Sequence, residues 1–481
     1  DNRDRVLSVG NAGTPNTPDV RLNYTYDAVG NVLTMTDTIN GNAGGTQTYD
    51  YDALNRLANL TQSGNSIQDK RVDFGYNALG QFTDISRYSD LSANQLVTAT
   101  SYSYDTLNRL EDITHANSTG TVAFYNYDYD DASRITQITD IDGTNTYTYD
   151  DRDQLVAADY SNAANLDETY GYDANGNRTN SSLHGNGYAT GDNNQLLSDG
   201  TYNYTYDDEG NLLTRTEIAT DNVRTFTWDY RNRLIAVIDA DSTGNELQRV
   251  EYTYDAFDRR ISKTINNSDT THFVYDGSDV LLDFIDYDGA AGPVEATVDK
   301  RYLHGPAVDQ VLAQEDSTDG VAWLLTDHLG TVRDIADNRG NVVNHLTYDS
   351  FGNVIAETNP AVESRYLYTG REFDEETGFY YYRARYFDAE IGRFISEDPI
   401  GLGIRNTNVY QYVDNSPILF ADPSGLVKAE QQQINGLAKK YKVDPRDLGD
   451  AIERYKDNNG LGSKDILSRE IIGYLADDIM G

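Results

Sequence analysis

The chain has 481 residues, a net charge of -40 from 38 Lys/Arg against 78 Asp/Glu, 38% hydrophobic content, 38 Tyr and no Cys. So acidic a surface repels nucleic acid and anionic membranes, the missing cysteines exclude disulfides and thiolate metal sites, and no apolar run approaches the length of a membrane span. Disorder is excluded too, because Tyr supplies burial area with a polar tip and disordered chains are poor in aromatics.

From Tyr24 onward an aromatic-x-aromatic-Asp motif recurs: YTYDAVGN at Tyr24, YDYDALNR at Tyr49, FGYNALGQ at Phe74 and YSYDTLNR at Tyr102. It continues at Tyr127, Tyr147, Tyr170, Tyr204, Phe226, Tyr252, Phe273 and Leu346, and most successive copies lie 20 to 28 residues apart. That is the spacing of one supersecondary unit per repeat. The period of two places both rings on one face of a strand, and the Asp opens a turn in which its carboxylate accepts backbone N–H groups.

The fourth turn residue is the sharpest signal. The twelve copies place there Gly30, Asn55, Gly80, Asn108, Ser133, Asp153, Gly176, Gly210, Asn232, Asp258, Asp279 and Gly352, nearly all residues that tolerate positive φ. A left-handed position closing a bulged hairpin is expected at each. Consecutive hairpins would stack edge to edge into one long antiparallel sheet, with the repeated Tyr, Asp and Gly serving the fold. The fold class is therefore mainly β, and residues 1–320 form the hairpin ladder.

From about Val321 the period loosens. The module 321–426 holds WLLTDHLGTVRDIADNRGNVV and YLYTGREFDEETGFYYYRARYFDAEIGRFISEDPIGL, and ends in FADPSGL at Phe420 to Leu426. Residues 427–481 then change character, with nine Lys/Arg against ten Asp/Glu, so nearly all the negative charge lies upstream. This tail reads as three short helices: Ile434, Leu437 and Tyr441 share one face, Asp444 and Pro445 start a second helix, and Ser463 opens a third.

The YD repeats, the TDHLGTVR stretch and the GFYYYRARYFD…GRFISEDPIGL…DPSGL ending resemble the Rhs/YD-repeat family, which includes bacterial Rhs effectors, the Tc toxin C component and, more distantly, the teneurins. The likeness covers residues 20 to 426. It implies a spiralling β-sheet strip that forms a shell, or part of one, around a variable C-terminal polypeptide. It also implies an aspartyl self-protease that cuts after the Leu of DPxGL, here the bond Leu426–Val427. The family's two aspartates fall on Asp398 and Asp422, and its supporting arginine on Arg385.

Elementary chemistry agrees with that assignment. Peptide hydrolysis needs an activated water and an acid for the leaving amine, and two close carboxylates that share one proton supply both. Asp-Pro pairs fix the backbone beside each carboxylate, and Arg385 is placed to hold one carboxylate ionised or to polarise the carbonyl. The competing reading is that each D-P-x-G is only a turn. The histidines His115, His184, His272, His304, His328 and His345 show no metal-ligand spacing, and His328 is read as structural. No cofactor and no metal are expected.

The leading expectation is a secreted or cell-surface shell protein, lacking its own targeting segment and so a fragment or processed product, that encloses and releases its C-terminal segment in toxin delivery or interbacterial competition. Its partners would be its own tail as cargo and the proteins of a secretion or delivery apparatus. The alternative is a wall-associated protein whose Tyr- and Asn-rich faces grip glycans or serve adhesion.

Overall fold

The computed structural model describes residues 1–12, 17–287, 297–316, 318–399, 401 and 408–426. The tail expected to be helical lies outside these residues. Among the described residues, strands dominate and the only helical elements are single 3-10 turns such as Tyr368–Gly370.

Eleven of the twelve motif copies make a hairpin whose first strand ends at the second aromatic, as where Val20–Tyr26 is followed by Val32–Ile39. The turn is organised by its Asp. Asp27 Oδ1 accepts the N–H groups of Val29, Gly30 and Asn31 at 2.9, 2.7 and 2.8 Å. Asp52 does the same for Leu54 and Arg56 at 2.8 and 2.9 Å. The fourth residue is left-handed in eleven of the twelve copies, with φ of 102° at Gly30, 59° at Asn55 and 64° at Ser133.

Asp279 is the exception and corrects the sequence reading. Strands Asp269–Asp276 and Asp279–Asp286 are joined by two residues only, so Gly277 takes the positive φ (63°) and Asp279 already pairs with Asp276. Conversely, turns opened by Asp241, Asp327 and Asp337 have the same carboxylate-to-N–H pattern and close on left-handed Gly244, Gly330 and Gly340, although no full aromatic pair precedes them.

The left-handed residue forces a bulge, which shifts the register: Thr25 pairs with Thr34, but Tyr26 pairs with Val32. The next hairpin satisfies the carbonyl left there. Tyr51 donates its hydroxyl to the Val32 carbonyl at 3.0 Å, Tyr76 to Leu57 at 2.9 Å, Tyr129 to Leu110 at 2.6 Å and Tyr254 to Leu234 at 2.7 Å. Burial pushes the Tyr76 hydroxyl up to about 12, so it remains a donor. The turn arginines reinforce the joint. Arg56 donates Nε to Asp52 at 2.7 Å and Nη1 to the Asn77 carbonyl at 3.1 Å, and lies 4.6 Å over the Tyr76 ring.

The hairpins assemble in sequence order into a fifteen-stranded sheet, Ser8–Gly10 to Arg178–Ser181, and a sixteen-stranded sheet, Ala189–Thr190 to Val354–Glu357. The single expected ladder is thus interrupted once. There Ser181 and Gly185 exchange backbone bonds at 3.0 and 2.8 Å, and the chain folds onto itself instead of extending. Pairing runs unbroken past residue 320, since Gly320–Thr326 pairs with both Val311–Asp316 and Val332–Ala336.

The inner faces of the two sheets pack together. Leu60, Val72 and Ile85 of the first meet Leu312, Trp323 and Leu325 of the second, all at most 1% exposed. Charges also pair between the two sheets, and the pairs of Asp37 and Lys70 are buried. Arg301 holds Asp37 at 2.6 and 3.1 Å, Lys70 pairs with Glu315, and Arg333 Nη2 reaches Asp142 at 2.7 Å. His345 bridges Asp334 in its own sheet (2.7 Å) and Asp142 in the other (3.1 Å).

The described residues between 366 and 426 sit where these faces converge, around a four-stranded sheet of Glu372–Asp374, Phe379–Tyr382, Arg385–Asp388 and Arg393–Phe394. The FYYY strand shows no polar alternation because both its faces are covered. Phe379 and Tyr381 pack with Leu212 and Val250, while Tyr380 and Tyr382 pack with Tyr348 and Tyr412. The buried hydroxyls are paired: Tyr380 donates to the Gly352 carbonyl at 2.8 Å, and Tyr382 meets Thr369 Oγ1 at 2.7 Å.

Two outcomes are expected. Tyr129→Phe leaves the Leu110 carbonyl without its donor and should cost about 1–3 kcal/mol in chemical denaturation. The hydrogen bonds that His345 donates to Asp142 and Asp334 raise it to about 9, above its ordinary 6.5. Its contribution is therefore complete below about pH 6.5 and lost as pH rises through about 9, so across that window the wild type should lose more stability than His345→Gln.

Candidate active site

Arg385 begins its strand directly after the two-residue turn of Arg383 and Ala384, so its position is fixed by the pairing of Tyr382 with Arg385. Its guanidinium is 3% exposed and lies 3.6 Å over the Phe394 ring. Nη2 lies 3.1 Å from Asp398 Oδ2 and 3.5 Å from Asp422 Oδ2. Nη1 donates to the Val409 carbonyl at 2.9 Å, and Nε donates to the Gly425 carbonyl. The three side chains named from the sequence therefore share one nitrogen, and the residue before Leu426 is held by the same guanidinium. Burial pulls Arg385 below its ordinary value, against the two carboxylates, which push it up.

Both D-P-x-G segments are also turns. Gly401 N donates to the Asp398 carbonyl at 2.8 Å. Asp422 Oδ1 accepts the Gly425 and Leu426 N–H groups at 2.9 and 3.1 Å and the Ser424 hydroxyl at 3.2 Å. Turn formation accounts for Oδ1 of Asp422; it does not account for Oδ2, which faces the guanidinium. Leu426 is buried, and Val427 lies outside the described residues.

Arg385, named from the sequence as the supporting residue, lies against both carboxylates. A guanidinium between them offsets one of two negative charges that would otherwise repel across a few ångströms. The sequence reading passed over Arg383 and Asp309. Arg383 donates Nη1 to the Pro423 carbonyl and Nη2 to Asp309 Oδ1 at 2.7 Å, and Arg371 donates Nη1 to the same oxygen at 2.7 Å. The second Arg in RAR was the available signal for Arg383; Asp309, 74 residues away from it, offered none.

The histidines have other partners. His328 Nε2 lies 2.9 Å from the Ile418 carbonyl and its ring packs on Tyr127, while His345 makes the cross-sheet ion pair. Among the described residues no group of three or more His, Asp or Glu is arranged to hold a metal ion, and no helix is long and apolar enough to cross a membrane.

A family model described as teneurin YD-shell matches residues 140–280 and 308–418, more than half of the chain. The chain belongs to the teneurin YD-shell family. The membership expected from the YD repeats and the DPSGL ending thus holds. The tRNA3(Ser)-specific nuclease WapA of Bacillus spizizenii is 32% identical to this YD-shell chain over 238 residues, 48% of the chain and 9% of the relative. Toxin protein Tse5 of Pseudomonas aeruginosa is 30% identical over 250 residues, 47% of the chain and 19% of the relative. The YD-shell chain therefore spans under a fifth of either relative's length. In the crystal structure of TcdB2-TccC3-Cdc42, the match covers 85% of this chain and 22% of that one, with a TM-score of 0.67 and 22% identity, a likeness of fold.

Gly425 sets the approach of the segment to Arg385. Its φ is 74°, and a Cβ there would lie 2.4 Å from the Tyr382 carbonyl oxygen. Gly425→Ala is expected to cost at least about 1–2 kcal/mol in thermal denaturation from the left-handed backbone alone.

Proposed function

We propose that this YD-shell chain is wall material of a toxin-delivery protein that holds its C-terminal segment, residues 427–481, and releases it by cutting the Leu426–Val427 bond. In this reading residues 1–320 are ladder, 321–426 the processing module and 427–481 the cargo, and the assembly acts outside the producing cell with delivery partners. The observation that supports it best is the single guanidinium nitrogen touching both Asp398 and Asp422 while Arg385 Nε holds the carbonyl next to Leu426. The toxin name of one relative, Tse5, supports the delivery setting.

The chemistry is an acid–base hydrolysis. One ionised carboxylate of the pair takes a proton from water as the water oxygen attacks the Leu426 carbonyl carbon. The other, protonated, gives its proton to the Val427 nitrogen as the C–N bond breaks. Arg385 offsets the negative charge of the ionised carboxylate. Asp422 is also bound to the N–H groups of its own turn, so the bond to be cut travels with its catalyst.

On a denaturing gel with intact-mass analysis, the wild-type chain should separate into two pieces meeting at Leu426 and Val427. Asp422→Asn and Asp398→Asn should remain whole, with cleavage slowed by about 1,000-fold or more. A wild-type chain that stays intact after folding, or one that is cut equally in both variants, overturns the reading.

A further inference from the structure

Three consecutive carbonyls of the segment to be cut are gripped by three consecutive residues. Pro423 is held by Arg383 Nη1, Ser424 by the Ala384 N–H at 3.2 Å, and Gly425 by Arg385 Nε. The grips differ in where they are anchored. Arg385 is anchored inside the site, on Asp398 and Asp422. Arg383 is anchored in the wall: its Nη2 lies 2.7 Å from Asp309 Oδ1 and 3.6 Å from Asp279 Oδ1. Asp309 belongs to the connection between the second-sheet strands Lys300–His304 and Val311–Asp316.

This link is built, not incidental. The Asp309 side chain is 6% exposed and is fixed by a second guanidinium, that of Arg371, at 2.7 Å. The Gly370 backbone lies so close that a Cβ there would come within 2.4 Å of the Asp309 carbonyl oxygen. Arg383 and Asp309 both adopt left-handed φ, 57° and 53°, a conformation that non-Gly residues keep only where surroundings impose it. The planar fork of Arg383 joins carboxylate and carbonyl through two different nitrogens, a span that a single lysine ammonium does not reproduce.

We propose that Asp309 and Arg383 form a strut that sets the register of residues 423–426 against Asp398 and Asp422, so that cleavage waits until the wall around Asp309 has folded. This rests on the cleavage reading above. Arg383 and Asp309 are positioning residues: they touch the segment or its holder and do not exchange protons with the bond. The strut makes release conditional on a finished wall, because an unfolded second sheet supplies no anchor for Arg383.

The test uses the full chain refolded from denaturant, with release of residues 427–481 followed by intact mass. Asp309→Asn and Arg383→Ala should slow release by about 100-fold, the cost of a small misplacement of reacting groups, and Arg383→Lys should rescue little of it. Circular dichroism checks that each variant is folded. A second readout does not need cleavage. In an uncut Asp398→Asn background, amide exchange of Gly425 and Leu426 should accelerate severalfold on adding Asp309→Asn or Arg383→Lys, while the strands of the first sheet keep their protection. Folded variants that cut at the wild-type rate, or unchanged exchange at those two amides, overturn the strut. If the wild type and Asp398→Asn are both uncut, the cleavage reading falls and the exchange measurement alone decides the strut.

Discussion

The wall depends on one bond made again and again: the hydroxyl of the second aromatic in a hairpin donating to the carbonyl that the preceding hairpin's bulge turns inward. A left-handed residue closes each turn, the bulge follows from it, and the bulge leaves a carbonyl facing the packed side of the sheet. Left alone, that part-buried oxygen would carry a desolvation cost with no bond to offset it. Tyr meets the need because a rigid ring delivers its hydroxyl at a fixed distance while the ring itself is buried. The one Trp in the motif serves likewise, with Trp228 Nε1 donating to the Leu212 carbonyl at 2.7 Å. A chain with 38 Tyr and only 38% hydrophobic residues can therefore build an extended packed face.

The same geometry explains how so acidic a chain stays compact. Many of its carboxylates do not sit loose on the surface; they accept two or three backbone N–H groups at a turn and often an Arg or Asn side chain four residues on, as Asp52 does with Arg56. Others pair across the sheets, as Asp37 does with Arg301. Negative charge is thus part of the turn chemistry, and the field it creates is partly answered where it arises.

What was readable in the sequence was what is local. The left-handed slots lie within a few residues of the Asp that organises them, so Asn55 or Gly176 could be named from spacing alone. Asp279 failed because the Gly directly after its Asp offered a shorter turn, and the turns at Asp241, Asp327 and Asp337 were passed over because no aromatic pair announced them. The break after Ser181 and the face-to-face packing were not readable, since contacts such as Asp37 with Arg301 join residues 264 positions apart. The site divides in the same way: Asp398, Asp422 and Arg385 carried motif signals, whereas Asp309 acts across 74 residues and carried none.

The cross-sheet ion pairs give the repeat number a meaning. Within either ladder a hairpin touches mainly its neighbours, and such arrays ordinarily gain or lose units freely. Here Asp37, Lys70 and Asp142 meet Arg301, Glu315 and Arg333 in ascending order along both sheets, like teeth of two racks. Excising one hairpin between two of these teeth would draw the charges beyond it out of line with their partners, and a buried charge such as Asp37 or Lys70 would lose its opposite. The teeth are unevenly spaced, with Asp37 and Asp142 far apart on the first sheet and Arg301 and Arg333 close together on the second, so a change in the length of this wall has to preserve these pairings and not a one-to-one count of hairpins.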